Sequence, residues 1–332
     1  MKVLLTGAFG NVGMSALEQL VDRGHSVRCL DLKTRANAKI ARRLEGVEVF
    51  WGDLRRTDDV NAAVRGQDVV VHLAFIIPKM SSTGVECEDS PDWSREVNVG
   101  GTMNLLSAMK AQPSRPKMIF TSTYHVYGRT QHQPPPRTVQ DPIQPIEHYS
   151  IHKVACEQMV QATGLEWAIL RLSATLPIAI QLDPGMFDVP LDNRMEFVHT
   201  RDVGLAITNA VESAEIWGKT LLIGGGPRCQ LYYREIVERV LEAMGVGMLP
   251  EEAFGQVPFP TDWVDTTESQ RLLRYQQRDF DDYINDILEL AGARRDWIRA
   301  FRPLVRQYLL AKSPYYSRDR TVRGKPAPRS VS

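Results

Sequence analysis

The chain has 332 residues, of which 43% are hydrophobic and 24% are charged, as in an ordinary globular protein. Its 40 Lys and Arg residues balance 40 Asp and Glu residues, and this zero net charge argues against a nucleic-acid partner. No apolar run reaches membrane-spanning length, and we expect no membrane partner. A folded motif that begins at residue 6 predicts that no signal peptide precedes it. Four cysteines without paired spacing predict a reduced, cytoplasmic protein with no metal site.

The first distinctive stretch is "TGAFGNVG" at residues 6–13, between a predicted strand at 2–5 and a predicted helix. Its glycines, Gly7, Gly10 and Gly13, are spaced three apart. In a strand–turn–helix setting such glycines allow a tight turn, close approach of a pyrophosphate and close helix packing, while the helix N-terminus attracts phosphate. An ordinary glycine-rich turn is the alternative. Asp31 ends the next predicted strand, at the spacing typical of a carboxylate that binds an adenosine ribose, and this favours a dinucleotide site.

Predicted strands and helices then alternate through the first half of the chain. Apolar runs predict strands at residues 47–51, 68–74, 117–122 and 166–171, with helical segments between them. This alternation predicts an α/β fold, a Rossmann-type doubly wound parallel sheet with ligands at the carboxyl ends of its strands.

After Pro177 the pattern becomes irregular, and we expect a smaller C-terminal substrate lobe. Helical segments are predicted over residues 231–244 and 266–290. The predicted organisation is a nucleotide-binding Rossmann domain at 1–176 with returning segments near 196–225, a small lobe with C-terminal helices at 177–311, and a basic tail or arm at 312–332.

Residues 294–313 place apolar side chains on one helical face and arginines on the other. A helix docked on its own domain or on a second subunit is the preferred interpretation, and a membrane-surface helix would show the same pattern. We expect a homodimer.

Two further stretches carry groups that could perform chemistry. In "YSIHK", Tyr149 and Lys153 lie four residues apart on a predicted helix and share a face. A nearby ammonium favours the phenolate, which makes Tyr149 a proton donor or acceptor near neutral pH. In "TSTYHVYG", Thr123 follows a predicted strand, where its hydroxyl can bond a reacting oxygen. His152 is expected on exposed helix surface, and His72 in a strand beside the cofactor.

Together these stretches resemble a known family. "TGAFGNVG", "WGDL", "HLA", "NVGGTMNLL", "TSTYHVYG", "YSIHK" and "FVHTRDV" occur in the order found in extended short-chain dehydrogenases/reductases, the superfamily of NAD-dependent epimerases and dehydratases. The resemblance covers roughly residues 1–290 and implies that Thr123, Tyr149 and Lys153 are catalytic. It also implies the following cofactor contacts: Gly7, Phe9, Gly10, Asn11, Val12, Gly13, Asp31, Asp53, Leu54, Leu73, Ala74, Asn98 and Lys153.

The resemblance further implies a reaction and the roles of individual residues. The reaction is hydride transfer between the nicotinamide and a secondary alcohol or ketone. Asp53 corresponds to an acid near the adenine, and Asn98 to a helix Asn associated with a proton relay, with packing or capping as the alternative. NAD is expected over NADP because Asp31 would repel a 2′-phosphate, an effect that Lys33 and Arg35 could partly offset.

The chain also departs from the family pattern. Tyr124 and His125 stand where sugar-nucleotide dehydratases carry Asp and Glu, and Ala174 stands where epimerases carry a diphosphate-binding Asn. The stretch at residues 177–193 is shorter than the corresponding nucleotide cleft, and Arg194 is an uncertain phosphate ligand.

These departures predict a small sugar-like or carbonyl substrate. Its candidate contacts are Thr123, Tyr124, His125 and Arg194. A nucleotide-sugar epimerase is the alternative. A catalytically silent NAD-binding regulatory protein is a third possibility, which the retention of Tyr149 and Lys153 disfavours.

Overall fold

The computed structural model describes residues 1–79, 83–180 and 184–316. Nine strands lie in these ranges: β1 (Lys2–Thr6), β2 (Ser26–Asp31), β3 (Glu48–Trp51), β4 (Val69–His72), β5 (Lys117–Thr123), β6 (Trp167–Leu172), β7 (Arg194–Glu196), β8 (Lys219–Ile223) and β9 (Gln230–Tyr232). The same ranges contain twelve α-helices: α1 (Asn11–Asp22), α2 (Arg35–Ala41), α3 (Thr57–Val64), α4 (Pro91–Arg95), α5 (Gly101–Lys110), α6 (His148–Gln161), α7 (Thr200–Glu212), α8 (Tyr233–Ala243), α9 (Thr267–Leu273), α10 (Phe280–Ala291), α11 (Arg294–Ala300) and α12 (Arg302–Leu310).

Seven strands form one parallel sheet in the order β3-β2-β1-β4-β5-β6-β8. The order reverses between β1 and β4, so their carboxyl ends are neighbours at the point where α/β sheets bind ligands. All four residues of β4 are buried, as expected for a parallel strand covered on both faces. The predicted Rossmann-type doubly wound sheet is therefore confirmed.

Helices cover the two faces of this sheet and enclose two apolar clusters. On one face α7 packs closely on α1, where a Cβ on Gly204 would lie 2.4 Å from the carbonyl oxygen of Ser15. On the other face lie α3, α5 and α6. The chain leaves the main sheet after β6 and later returns to it. It returns because α7 packs on the same face as α1 and β8 forms the edge strand beside β6.

A third apolar cluster is built mainly from α8, α10 and the loops around the two-stranded antiparallel pair β7 and β9. The helical prediction for residues 266–290 is interrupted here, because Arg274 has a φ of 46° and separates α9 from α10. The predicted amphipathic helix at 294–313 is likewise two helices that meet at Phe301. Pro303 lies in the first turn of α12, where its missing N–H costs nothing.

A buried ion pair fixes α6 against the sheet. The Arg171 guanidinium on β6 donates to both Glu157 carboxylate oxygens at 3.0 and 2.7 Å, and to the Tyr127 hydroxyl at 2.7 Å. Arg171 and Glu157 are 4% and 3% exposed, so neither charge is solvated by bulk water. The pair sets the position of the helix that carries Tyr149 and Lys153.

Three further sequence predictions concern the cysteines, membrane-spanning helices and the C-terminal tail. All four cysteines are buried and free. Among the residues that the structure describes, no helix has the length and apolar character needed to cross a membrane. Of the predicted tail at 312–332, residues 317–332 lie outside the described part of the chain.

Candidate active site

The three glycines of the turn after β1 have different surroundings. Gly7 has a φ of +68°, and a Cβ there would lie 2.7 Å from the Ala74 nitrogen. A Cβ on Gly13 would lie 2.2 Å from the Gly7 carbonyl oxygen. A Cβ on Gly10 would meet that same oxygen only at 3.4 Å, which is ordinary contact. Gly7 and Gly13 are therefore needed for packing, whereas Gly10 leaves space beside the N-terminus of α1.

The N-terminus of α1 fits a phosphate group. Gly10 is its N-cap and provides no side-chain cap, and no acidic residue lies in the first turn. The first N–H groups of a helix carry a partial positive charge that an anion can neutralise. Asn11, Val12 and Gly13 open the helix at this point, so the predicted contacts lie around one opening that could hold the pyrophosphate of a dinucleotide.

Asp31 lies at the carboxyl end of β2, next to this turn. Its carboxylate accepts hydrogen bonds from the Phe9 N–H at 3.1 Å, the Leu32 N–H at 2.8 Å and the Asn37 side chain at 3.1 Å. Burial raises the pKa of Asp31, and the N–H groups of Phe9 and Leu32 oppose that rise. Lys33 is exposed. The carboxylate is thus held in a fixed position beside the glycine turn, where a ribose could bind.

Arg35 is exposed at the start of α2, and Asn37 is buried in that helix. Sequence reasoning missed both α2 and the role of Asn37. Thr34 could have indicated the start of α2, because Thr is a favoured N-cap residue. In the structure its hydroxyl caps the helix by accepting a hydrogen bond from the Asn37 N–H.

The remaining cofactor candidates line adjoining strand ends. Asp53, beyond β3, forms an ion pair with Arg55 at 2.7 Å, and hydrogen bonds from Arg55 lower its pKa. Leu54 is 7% exposed. The N–H groups of Leu73 and Ala74 both donate to the Thr6 hydroxyl at 3.2 Å. These bonds tie the end of β4 to the end of β1.

His72 is the last residue of β4 and lies beside the Thr6 hydroxyl. Its Nδ1 lies 2.7 Å from the Thr6 hydroxyl and its Nε2 lies 3.0 Å from the Thr102 hydroxyl. Burial lowers the pKa of His72 to about 3. His72 is therefore a neutral strand residue with both ring nitrogens bonded.

Asn98 lies in a short π-helical segment, Glu96–Gly100, between α4 and α5. Its side-chain oxygen accepts from the Ile76 N–H at 2.7 Å, and its amide nitrogen donates to the Ile76 carbonyl at 3.1 Å. Such π-segments occur frequently at functional sites. In this structure the Asn98 side chain fixes the loop that follows β4.

The prediction that His152 lies on exposed helix surface is wrong. His152 is 3% exposed, with its Nδ1 3.4 Å from the Asn98 amide and 3.7 Å from the Cys87 sulfur. The segment around Cys87 covers this face of α6, a contact between residues 65 apart in sequence. Burial lowers the pKa of His152 to about 4.

Thr123, Tyr149 and Lys153 meet at the carboxyl end of β5. Thr123 ends that strand and is 5% exposed, and its side chain lies close enough to Tyr149 to lower the pKa of that phenol. The Lys153 ammonium lies 5.8 Å from the centre of the Tyr149 ring and donates to the Thr121 carbonyl at 2.7 Å. The one-turn spacing in α6 thus places Tyr149 and Lys153 on one face, and the packing of α6 against β5 brings them to the strand end that carries Thr123.

Burial dominates the electrostatics of this site. It raises the pKa of Tyr149, while the nearby Thr123 side chain opposes the rise. This direction is opposite to the effect expected from a nearby ammonium. Burial also lowers the pKa of Lys153 to about 7. The structure therefore holds a neutral phenol, which is a proton donor.

His125 and Tyr124 lie beside Tyr149. The His125 Nδ1 lies 2.9 Å from a Glu147 carboxylate oxygen. Its ring makes edge contacts with Tyr149 at 6.0 Å and with Phe259 at 5.5 Å between ring centres. Tyr124 is 3% exposed, and its ring centre lies 5.3 Å from that of His125. The sequence analysis did not assign Glu147 to the site, although its place just before α6 puts it two residues from Tyr149.

Arg194 forms structural contacts in the small lobe. Its guanidinium donates to both oxygens of Asp262 at 2.7 and 3.1 Å and to the Gln133 carbonyl at 2.8 Å. Asp262 is 1% exposed, and its carboxylate raises the pKa of Arg194. Arg194 thus compensates a buried carboxylate, a contact that the sequence did not predict.

Residues 3–176 match the model of the NAD dependent epimerase/dehydratase family. This is more than half of the chain, and the chain belongs to that family.

Among curated relatives, the 3 beta-hydroxysteroid dehydrogenase/Delta 5-->4-isomerase of Mycobacterium tuberculosis is 38% identical over 125 residues, 38% of this chain and 32% of that protein. A UDP-glucose 4-epimerase of Streptomyces lividans is 32% identical over 163 residues, 48% of this chain and 46% of that protein. The chain therefore spans less than half the length of each of these two relatives.

Two solved structures share the fold over nearly the whole chain. A UDP-glucose-4-epimerase from Stenotrophomonas maltophila, with bound NAD and formylated UDP-arabinopyranose, has a TM-score of 0.71 and 22% identity over 92% of this chain and 99% of that one. A short-chain dehydrogenase/reductase superfamily protein from Agrobacterium tumefaciens, with bound NAD, has a TM-score of 0.68 and 21% identity over 91% of this chain and 100% of that one.

Proposed function

We propose that the protein is an NAD-dependent oxidoreductase of the epimerase/dehydratase type, which acts on a secondary alcohol or ketone. The placement of Tyr149 beside Thr123, with Lys153 on the same face of α6 and bonded to the end of β5, carries this proposal, because it puts a proton donor at a strand end of the nucleotide-binding sheet. Family membership supports NAD as the cofactor. A catalytically silent role is disfavoured because this pair and Lys153 are all in place.

The residues around the glycine turn fit NAD. The space beside Gly10 lies at an uncapped helix N-terminus, which suits a pyrophosphate. The fixed Asp31 carboxylate can accept hydrogen bonds from both hydroxyls of the adenosine ribose, and its charge disfavours a 2′-phosphate. When bound, NAD supplies a nicotinamide carbon that accepts or donates hydride.

The protein's own residues move the proton and hold the oxygen. The Tyr149 phenol donates its proton to a carbonyl oxygen during reduction, and in the reverse direction the Tyr149 phenolate takes a proton from an alcohol and becomes the phenol again. The Thr123 hydroxyl orients the same oxygen. Lys153 can bind the nicotinamide ribose, and its positive charge can compensate the negative charge of the Tyr149 oxygen after that oxygen has lost its proton. A positioned acid or base of this kind contributes about 10²–10⁴-fold to a rate.

We further propose a substrate smaller than a nucleotide diphosphate sugar. The ion pair between Arg194 and Asp262 supports this, because a guanidinium that compensates a buried carboxylate is poorly suited to bind phosphate. Ala174 brings only a methyl group to the position where related epimerases carry Asn. The UDP-sugar bound to a structural neighbour of the same fold favours the alternative, a nucleotide-sugar epimerase.

Thermal unfolding in the presence of NAD separates these two substrate classes. UDP, dTDP, GDP and CDP are each added at high concentration, since a ligand at 100 times its Kd adds about 2.7 kcal/mol to the free energy of unfolding. The small-substrate proposal expects no shift with any of the four. A clear shift with one nucleotide, removed by Arg194→Ala, would establish the nucleotide-sugar alternative.

We also infer a cytoplasmic homodimer. Met103 on α5 and Ile151 on the neighbouring α6 are 54% and 46% exposed, and paired helices could bury both side chains. Light scattering should give the mass of a dimer for the wild type and of a monomer for the double variant Met103→Glu/Ile151→Glu. A wild-type monomer would contradict the dimer.

A further inference from the structure

The loop after β4 holds an aromatic ring over the Lys153 side chain. Asn98 binds both the N–H and the carbonyl of Ile76, at 2.7 and 3.1 Å, so the backbone next to Phe75 is fixed at two atoms. Asn98 is itself 1% exposed. The position of Phe75 is therefore determined by the π-helical segment that carries Asn98.

Phe75 touches both candidate catalytic residues of α6. The Lys153 ammonium lies 3.6 Å from the centre of the Phe75 ring, and the Tyr149 ring meets that ring edge to face at 5.8 Å. A cation at this distance is attracted by the negative face of the ring. Lys153 is 3% exposed whereas Phe75 is only half-buried, so Phe75 separates the ammonium from solvent on this side.

Other groups around Lys153 come from β4, β5 and α6. His72 on β4 is neutral because burial lowers its pKa to about 3. Burial raises the pKa of Cys156, one turn from Lys153, to about 11, and Glu157 is paired with Arg171. On β5, the Thr121 carbonyl accepts a hydrogen bond from the ammonium, and the Phe120 ring centre lies 4.9 Å from it.

We propose that Phe75 is a positioning residue for Lys153: its ring keeps water from the ammonium group and holds that group where it can reach the nicotinamide ribose and Tyr149. The ribose part of this statement rests on the proposed function, whereas the contact between Phe75 and Lys153 does not. Nothing in the glycine turn, the catalytic motif or the family match assigns a role to Phe75.

Titration of Lys153 by NMR tests the contact directly. Lysine is labelled with ¹³C at Cε, and the Lys153 signal is assigned by its loss in Lys153→Arg. Phe75→Leu keeps the apolar cover but removes the ring face, so the titration midpoint should fall by about half a pH unit or more. Phe75→Ala should admit water and raise the midpoint by about one pH unit. Phe75→Tyr should restore the wild-type value.

Phe50→Leu is the matched control, since Phe50 is a partly buried phenylalanine of the same cluster but lies on β3 at the sheet edge. It should leave the Lys153 titration unchanged. If the midpoint is the same in the wild type, Phe75→Leu and Phe75→Ala, the proposal is wrong. Far-ultraviolet circular dichroism identifies any variant that fails to fold, and Phe75→Leu and Phe75→Tyr are conservative enough to retain the fold.

NADH binding, measured by fluorescence at pH 6 and pH 7.5, separates this proposal from the proposed function. Wild-type affinity should fall at least about threefold between these values as Lys153 loses its charge, and Phe75→Ala should show no such fall. A wild type that does not bind NADH would overturn the proposed function while the NMR titration still decides the role of Phe75. A wild type that binds NADH, with the same pH dependence in Phe75→Ala, would overturn the role of Phe75 at the cofactor site.

Discussion

Gly10 and Gly13 should respond to the same substitution in different ways: Gly13→Ala should lower stability, and Gly10→Ala should weaken cofactor binding. A Cβ on Gly13 would lie 2.2 Å from the Gly7 carbonyl oxygen and 2.7 Å from the Ala8 backbone, whereas ordinary contact begins at 3.4 Å. Gly13→Ala therefore requires a backbone shift of about 1 Å, and overpacking of this kind costs about 1–3 kcal/mol. The melting temperature should fall by roughly 2–6 °C, at about 2 °C per kcal/mol in a chain of this size.

Gly10→Ala should instead leave the fold nearly intact and weaken cofactor binding. Gly10 has a φ of −76°, which any residue adopts, and its Cβ would meet Gly7 only at ordinary contact. Loss of a glycine N-cap should cost about 0.5 kcal/mol. The added methyl group would occupy space beside the helix N-terminus, and NADH affinity should fall at least about tenfold, or 1.4 kcal/mol.

Melting curves and NADH fluorescence titrations on both variants give the two quantities independently. Gly100→Ala is the control, because a Cβ there meets no atom within 4 Å and the residue is already helical. It should change neither quantity appreciably. The reasoning would be refuted if Gly13→Ala were as stable as the wild type, or if Gly10→Ala bound NADH with unchanged affinity.

The candidate catalytic residues and the buried charges give three further predictions. Tyr149→Phe should retain NADH binding and lose about 10²–10⁴-fold in turnover. Lys153→Met should weaken both NADH binding and turnover. A near wild-type rate for Tyr149→Phe on the true substrate would show that another group donates the proton. Glu157→Gln should lower the free energy of unfolding in urea by about 3–5 kcal/mol, because it leaves the Arg171 charge buried and uncompensated. Replacing both Glu157 and Arg171 by Met should lower it less. Equal losses of unfolding free energy in the two variants would contradict this. Because burial lowers the pKa of Lys153 from 10.5 to about 7, the unfolded chain binds a proton that the folded protein lacks between these values. The free energy of unfolding should therefore rise from pH 7 to about pH 8.5, by up to about 1.4 kcal/mol per pH unit, and Lys153→Met should lose this rise; an identical rise in that variant would contradict it.

Local spacing in the sequence was sufficient to predict where several residues of the candidate site lie. The glycine turn, Asp31 at the end of β2 and the shared face of Tyr149 and Lys153 all depend on residues close in sequence, or on the register of one strand or helix. The alternation of strands and helices predicted the sheet for the same reason. These features follow from the periodicity of single elements.

Features that depend on distant contacts could not be predicted in this way. Arg194 pairs with Asp262, 68 residues away, so its use inside the small lobe is not visible in its own neighbourhood. His152 is buried by the segment around Cys87, which belongs to another part of the chain. The ring of Phe75 reaches Lys153 only because Asn98 fixes the loop after β4. Burial by distant segments also reversed the expected direction of the Tyr149 pKa.

The central claim is that the glycine turn and Asp31 form an NAD site. Titration of the purified protein with NADH and NADPH, followed by cofactor fluorescence, tests it most directly. The account predicts saturable binding of NADH at least about tenfold tighter than that of NADPH, because the Asp31 carboxylate repels a 2′-phosphate. Asp31→Asn should narrow this preference. No saturable binding of either cofactor, or tighter binding of NADPH, would contradict the account.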